Sequence, residues 1–105
     1  MTRPPLRRPP KHTPVLVQTA LERLGERVIK ARKLRGITQE QLARLSDVSL
    51  STLRTLENGG DGVSTGNLLK VLQGLRLLGQ IEDLLAPQND PEVVAFANRQ
   101  LEDRR

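Results

Sequence analysis

The sequence predicts an all-α fold, and three observations support this fold class. From Val17 onward, apolar residues recur every three or four positions, which is the spacing of one face of an α-helix. Three later segments begin with a β-branched apolar residue followed by threonine or serine, a pattern typical of helix N-termini. No segment alternates polar and apolar residues over a length that would indicate a β-strand.

The first helix is predicted over residues 17–35. Gly36 follows it, and glycine is frequent just after a helix C-terminus because it adopts a left-handed backbone without steric cost. The apolar face of this helix is formed by Val17, Leu21, Leu24, Val28, Ala31 and Leu34.

Three further helices are predicted over residues 39–46, 50–57 and 65–75. The hydroxyl residues that precede them, each suited to an N-cap position, are Thr38, Ser49 and Ser64. Each N-cap lies between a β-branched apolar residue and a leucine at the fourth helical position, as in a hydrophobic staple. Thr38 and Gln41 also have the spacing of a capping box.

Two more helical segments are predicted in the C-terminal part of the chain. One covers about residues 77–85, carries five large aliphatic side chains and is stopped by Pro87. The other begins at Asp90 and Pro91, which fit an N-cap followed by proline in the first helical turn, and it extends to about Asp103.

Composition limits the functions that are open to the chain. Its 105 residues suffice for one small domain with tails. The absence of cysteine excludes disulfides, thiolate metal sites and cysteine nucleophiles, and the single histidine, His12, leaves too few ligands for zinc. With Phe96 as the one aromatic residue, a base-stacking RNA-binding sheet is not expected. No apolar run is long enough to span a membrane and no signal peptide is recognisable, so we expect a soluble protein without a cofactor.

The net charge of +5 is concentrated in the first 14 residues. This segment holds five of the seven prolines, so a disordered arm is expected there rather than a helix. The other 91 residues carry a net charge of only +1, from 13 basic and 12 acidic side chains. The arm is either a solubilising tail or a contact with an acidic partner. Its basic residues are Arg3, Arg7, Arg8 and Lys11.

The second and third predicted helices form a compact unit. Each is about two turns long, which is too short to persist alone, and only three residues separate them. Two short helices joined so closely indicate a helix-turn-helix, whose second helix fits the major groove of DNA. The side chains expected to point inward are Leu42, Ala43, Leu45, Val48, Leu53 and Leu56.

The segment TQEQLARLSDVSLSTLRTLENG, residues 38–59, resembles the helix-turn-helix motif of the lambda-repressor-like (XRE) family. The preceding RKLRGIT, residues 32–38, resembles the end of the first helix in that family, and the likeness extends over about residues 18–86. Asp47 stands where the family usually has glycine, and aspartate tolerates a left-handed backbone better than most residues. The resemblance implies a five-helix lambda-repressor-like DNA-binding domain at residues 15–87, after an arm at 1–14 and before a helical tail at 88–105.

The same resemblance implies that the third helix reads operator DNA. Hydroxyl and guanidinium groups hydrogen-bond to base edges, and a leucine packs against a thymine methyl group. The base-contacting residues implied are Leu50, Ser51, Thr52, Arg54 and Thr55. The phosphate-contacting residues implied, all at helix ends, are Thr38, Gln39, Ser49 and Asn58. Thr38 and Ser49 are expected to act first as N-caps, because a cap is useful without a ligand.

Arg32 and Glu57 match positions that often form a partly buried ion pair in the family. The resemblance therefore implies a contact between the first and third helices that fixes the recognition helix. These two residues are expected to be structural and not to touch DNA.

Residues 62–87, GVSTGNLLKVLQGLRLLGQIEDLLAP, resemble the second half of HipB-like antitoxins. Those proteins have a Val-Ser-x-x-x-Leu-Leu-x-Val-Leu segment followed by a short leucine-rich helix and a proline. The resemblance implies a repressor that controls a toxin–antitoxin operon and binds a HipA-like toxin kinase. The alternatives are a free-standing phage- or plasmid-type regulator without a toxin and an interaction protein that reads no DNA.

The fourth and fifth predicted helices carry more leucine than one small domain can bury. We expect the surplus to form a homodimer interface, since operator-binding proteins of this type normally dimerise to reach successive major grooves. The alternative is that the helix from Pro91 covers this surface within one chain. An enzyme is not expected, because the predicted ordered part has no histidine and its carboxylates lack a paired base. Such a regulator is expected in the bacterial cytoplasm, on the nucleoid.

Overall fold

The computed structural model describes residues 12–104, and every regular element in that range is helical. It has five α-helices there: α1 (Val15–Leu34), α2 (Gln39–Ser46), α3 (Leu50–Glu57), α4 (Thr65–Gly74) and α5 (Pro91–Asp103). Two 3-10 helices, Leu78–Asp83 and Pro87–Asn89, lie between α4 and α5. The predicted all-α fold is confirmed. The predicted arm residues Arg3, Arg7, Arg8 and Lys11 lie outside the described residues.

The predicted N-caps of α2, α3 and α4 are confirmed. The backbone N–H of Gln41 donates to Thr38 Oγ1 at 3.1 Å, and the backbone N–H of Thr38 donates to Gln41 Oε1 at 2.8 Å, which completes the capping box. The hydroxyls of Ser49 and Ser64 each accept a hydrogen bond from the backbone N–H three residues ahead. A cap of this kind stabilises its helix by about 1 kcal/mol.

The first helix begins two residues earlier than predicted, at Val15 directly after Pro14. It ends before Gly36, whose φ of 67° is the left-handed conformation expected for glycine at this place. In the middle of α1, a Cβ atom added to Gly25 would lie 2.5 Å from the carbonyl oxygen of Glu57. Glycine is therefore required here because the backbones of α1 and α3 are almost in contact.

The hydrophobic core lies among α1, α2, α3 and α4. In the described chain, α2 packs against α4 and α3, while α1 packs mainly against α3. Burial of each large aliphatic side chain contributes about 1.5–3 kcal/mol. The core residues are Val28, Leu42, Ala43, Leu53, Leu56, Val71 and Leu75.

Leu45 was predicted to point inward, and this prediction is wrong. Its side chain is 63% exposed. The buried face of α2 is formed by Leu42, Ala43 and Ser46. Leu45 lies to one side of this face and is not covered. There Leu45 lines a shallow surface depression together with Ile37.

The α-helix predicted over residues 77–85 is replaced by the 3-10 helix Leu78–Asp83. Arg76 and Leu85, on either side of it, have left-handed backbone with φ of 63° and 59°. An α-helix cannot continue through a left-handed residue, so only eight residues remain between the two breaks, and six of them form the 3-10 helix. The segment is helical, as its leucine-rich pattern predicted, but it forms a short 3-10 helix instead of an α-helix.

The C-terminal helix α5 has the predicted start, with the Asp90 side chain accepting a hydrogen bond from the backbone N–H of Glu92 at 2.9 Å. None of its residues is buried against the described part of the chain. Its main packing contact is the neighbouring 3-10 helix Pro87–Asn89. In the structure, α5 therefore does not cover the leucine-rich surface of its own chain, and that alternative is wrong. Among residues 12–104, no helix combines the length and apolar character needed to cross a membrane.

Candidate nucleic-acid interface

The turn between α2 and α3 depends on one left-handed residue. Asp47 has φ of 54° and ψ of 45°, as its place in the sequence predicted. Its backbone N–H donates to the Arg44 carbonyl at 3.2 Å, and the N–H of Val48 donates to the Ala43 carbonyl at 3.1 Å. These bonds end α2, and Ser49 then caps α3. Since aspartate tolerates this backbone, the two helices join tightly without glycine.

The inner face of α3 is anchored in the core, and its outer face is open to solvent. Leu53 and Leu56 are buried, with 0% and 3% exposure. Ser51 and Arg54, on the outer face, are exposed. The other predicted base-contacting residues are half-buried: Leu50, Thr52 and Thr55. A helix held in this way presents a fixed row of side chains to solvent.

The hydroxyl groups of α3 differ in the hydrogen bonds that they already make. Thr55 Oγ1 donates to the backbone carbonyl of Ser51 at 2.9 Å, so its hydrogen is committed while this bond lasts. Ser49 Oγ donates to Thr52 Oγ1 at 2.8 Å, which leaves the hydroxyl hydrogen of Thr52 able to donate outward. Ser51 and Thr52 are therefore better placed than Thr55 to donate to a base edge.

A buried ion pair fixes α3 against α1. Arg32 Nε donates to Glu57 Oε2 at 2.9 Å and Arg32 Nη2 donates to Glu57 Oε1 at 3.0 Å, so the contact is bidentate. The side chains are 11% and 1% exposed. Arg32 also donates to the carbonyl of Ile37 at 3.2 Å. The ion pair that the sequence implied is confirmed, and its contacts lie away from the outer face of α3.

Gln39, the first residue of α2, connects this ion pair to the surface. Its Nε2 donates to Glu57 Oε1 at 3.0 Å, while its Oε1 accepts from Arg54 Nε at 3.4 Å. Glu57 therefore holds side chains of both α1 and α2, and through Gln39 it reaches Arg54 on the outer face of α3. One buried carboxylate thus sets the relative position of three helices.

Residues 28–77 match the model of a helix-turn-helix family, HTH_3. The matched segment has the two short helices and the tight turn of a helix-turn-helix. It contains the last seven residues of α1, together with α2, the turn, α3 and α4. The match supports membership of the lambda-repressor-like family and a role as a DNA-binding transcription regulator. No curated protein and no solved structure matches the chain.

The predicted phosphate-contacting residues of the helix-turn-helix domain all lie at helix ends, as expected. Thr38 and Ser49 are the N-caps of α2 and α3, and both are exposed. Asn58, the C-cap of α3, is exposed, whereas Gln39 is half-buried because of its bond to Glu57. Exposed helix N-termini present backbone N–H groups and a positive dipole end, both of which suit a phosphate.

Arg54 is the basic residue of α3, and its ion-pair contact is weak. Its contact with Glu40 spans 3.9 Å between side chains that are both more than half exposed. Exposed ion pairs of this kind are worth less than about 1 kcal/mol. Arg54 can therefore leave Glu40 for a guanine edge or a phosphate at little cost.

Sequence reasoning missed the contacts that tie the start of α1 to the loop after α3. Thr13 Oγ1 donates to the Asp61 carboxylate, and Gln18 Nε2 donates to the carbonyl of Gly59 at 3.0 Å. The partners are 48 and 41 residues apart in the chain, so no local pattern signals them. The start of α1 therefore lies beside the C-terminal end of α3.

Proposed function

We propose that the protein is a sequence-specific transcriptional repressor that binds operator DNA as a homodimer, with α3 in the major groove. The observation that carries the proposal is the fixed outer face of α3. Ser51 and Arg54 are exposed on a helix whose inner residues are buried and whose last residue, Glu57, is held by two other helices. Such a helix needs little further ordering when it binds, which favours affinity.

The proposed base contacts divide by chemistry. Ser51 and Thr52 donate to or accept from base edges, and Arg54 pairs with guanine. Leu50 packs against a thymine methyl group, and Thr55 stands at the rim of the contact, where its oxygen accepts. The exposure of these side chains and the hydrogen bonds of Thr52 and Thr55 support this assignment.

The proposed phosphate contacts flank the recognition helix. Thr38, Gln39, Ser49 and Asn58 occupy helix ends beside it, where side-chain and backbone donors meet the duplex backbone. The basic arm adds a sequence-independent contact through Arg3, Arg7, Arg8 and Lys11. Thr13 lies against Asp61, just past the end of α3. The C-terminal end of the arm is therefore close to the proposed DNA surface.

Binding-site selection from random duplexes, followed by variant titrations, tests the proposed operator recognition. The double change Ser51→Ala with Thr52→Ala is expected to reduce the preference for the selected site by about 1–3 kcal/mol for each lost base contact. Affinity for unrelated DNA should stay the same. A parallel comparison uses Arg54→Ala against Arg76→Ala, which removes the same charge from an exposed position just after α4. An unchanged site preference in the double variant would refute the role of α3.

We further propose that the operon encodes a HipA-like toxin kinase and that the protein is its antitoxin and autoregulator, acting on the bacterial nucleoid in the cytoplasm. Support comes from the resemblance of residues 62–87 to HipB-like antitoxins. In this chain, Ser64 of that segment is the N-cap of α4.

Purification of the tagged protein from its native host, before and after nuclease treatment, tests the antitoxin role. A stoichiometric kinase-sized protein that stays bound after nuclease is the expected result. A nuclease-sensitive complex with DNA alone would instead establish a free-standing regulator, and neither partner would point to a protein-interaction role.

A further inference from the structure

An apolar groove lies between α1 and the C-terminal part of α4, away from any contact that the operator-binding proposal uses. Its volume is about 140 Å³. Arg27 and Gln80, both exposed, stand at its rim. Apolar cavities of about 150 Å³ accept a benzene-sized group. The apolar lining consists of Leu24, Val28, Ala31, Leu72, Leu75 and Leu77.

The chain has one aromatic side chain, and it is exposed. Phe96 lies on α5 with 56% of its surface open, although phenylalanine is among the residues most often buried. Within the described chain, α5 packs mainly on the 3-10 helix Pro87–Asn89 and makes no extended contact with α1 or α4. One chain thus carries both an unfilled groove of phenyl size and an uncovered phenyl group.

The charges around the two features are opposite in sign. On α5, Glu92 and Asp103 lie four residues before and seven residues after Phe96 on its side of the helix, and Arg99 lies three residues after it. The helix as a whole carries three acidic residues and one basic residue, so its net charge is negative. On α1, Arg23 and Lys30 lie four residues before and three after Arg27, and all three are exposed. The net negative helix α5 therefore meets a positively charged part of α1 when Phe96 approaches the groove.

We propose that Phe96 of one copy of this chain inserts into the groove between α1 and α4 of a second copy. This inference deepens the proposed function and rests on its homodimer. The occupant is a second copy because α5 stands apart from the groove of its own chain. Each copy has one Phe96 and one groove, so reciprocal insertion gives a closed two-fold dimer with two equal contacts.

Disulfide mapping tests this arrangement directly, since the natural chain has no cysteine. Gln100→Cys places a thiol one helical turn after Phe96, and Gln80→Cys places one at the groove rim; both sites are exposed. The two full-length variants, carrying tags of different size, are mixed and mildly oxidised. We expect a mixed dimer to form, and we expect it to fall at least about tenfold when Phe96→Ala is added to the Gln100→Cys chain. Gln41→Cys, on the exposed side of α2, replaces Gln80→Cys as the matched control and should not cross-link.

Each other outcome overturns the proposal. Dominant Gln100→Cys self-cross-links would show that two α5 helices pair with each other. A cross-link inside one monomer carrying both cysteines would show that Phe96 enters its own groove. Absence of any cross-link in a protein that sediments as a monomer would remove the interface altogether.

Sedimentation without cross-linking separates this inference from the proposed function. Phe96→Ala is expected to weaken self-association at least about tenfold, whereas Leu101→Ala, on another side of α5 and 64% exposed, should change it less than about threefold. If the natural protein is a dimer but Phe96→Ala leaves it unchanged, the groove contact fails while the proposed homodimer stands. If the natural protein is a monomer that still selects an operator, the dimer fails and the recognition role of α3 stands.

Discussion

Among changes of a single polar side chain, Glu57→Ala is expected to lower the free energy of unfolding most. It removes the carboxylate that accepts two hydrogen bonds from Arg32 and one from Gln39. The Arg32 guanidinium, whose side chain is only 11% exposed, would then have no counter-charge at that place. Three helices would lose their shared anchor, although the apolar core would remain.

The size of the effect follows from burial. Removing one partner of a buried ion pair costs about 3–5 kcal/mol. Arg32 keeps its bond to the Ile37 carbonyl at 3.2 Å, so we expect a loss near the lower limit, about 3 kcal/mol. In a domain of this size each kcal/mol lowers Tm by about 4–8 °C, which predicts a fall in Tm of about 12–24 °C.

Urea and thermal unfolding of the full chain measure this effect, and Glu40→Ala provides the control. Glu40 contacts Arg54 at 3.9 Å with more than half of its side chain exposed, so its removal should cost less than about 1 kcal/mol. Because Glu57 does not face the proposed DNA surface, DNA affinity per folded molecule should fall less than about tenfold, or 1.4 kcal/mol. An unchanged Tm in Glu57→Ala would refute the structural role of the ion pair.

Two further changes test the packing of α1 and the role of the arm. Gly25→Ala is expected to reduce the free energy of unfolding by about 1–3 kcal/mol, because the new Cβ would lie 2.5 Å from the Glu57 carbonyl oxygen. Gly79→Ala, with no atom within 4 Å of the new Cβ, is the matched control in urea unfolding, and equal losses would contradict close packing of α1 on α3. Deletion of residues 1–11, which removes four basic residues, is expected to reduce the slope of log K against log salt concentration for DNA binding by about 3–4. A slope that does not change would show that the arm makes no phosphate contacts.

Much of the helix-turn-helix domain could be predicted because its signals are local. The capping box of Thr38 with Gln41 depends on residues three positions apart, and the structure has it. The left-handed Asp47, which the structure also has, was implied by the family resemblance, because Asp47 stands where the family usually has glycine. The Arg32–Glu57 pair spans 25 residues, and only the family resemblance pointed to it. The exposure of Ser51 and Arg54 followed from helical spacing once the inner face of α3 was known.

The remaining features could not be predicted because they depend on which other helices pack beside a residue. Leu45 has the apolar character of its buried neighbours, yet no other helix covers the flank of α2 where it lies. The link from Gln39 to Glu57 joins residues 18 positions apart, and glutamine at a helix start carries no signal of a buried partner. The leucine-rich segment after α4 fits a helical pattern, but periodicity does not detect a left-handed residue such as Arg76.

The sequence by itself determined where helices α2 to α5 begin, that α2 and α3 are joined by a short turn, and that the fold is all-α. These features arise from hydrogen bonds and steric limits among residues within about one helical turn, so nearby residue types suffice to specify them. Only the tertiary structure decided which apolar side chains are covered, that Glu57 joins three helices, and that Phe96 on α5 stays outside the core of its own chain. Burial and long-range pairing depend on the positions of whole helices, and those positions result from the packing of the entire core rather than from any local pattern.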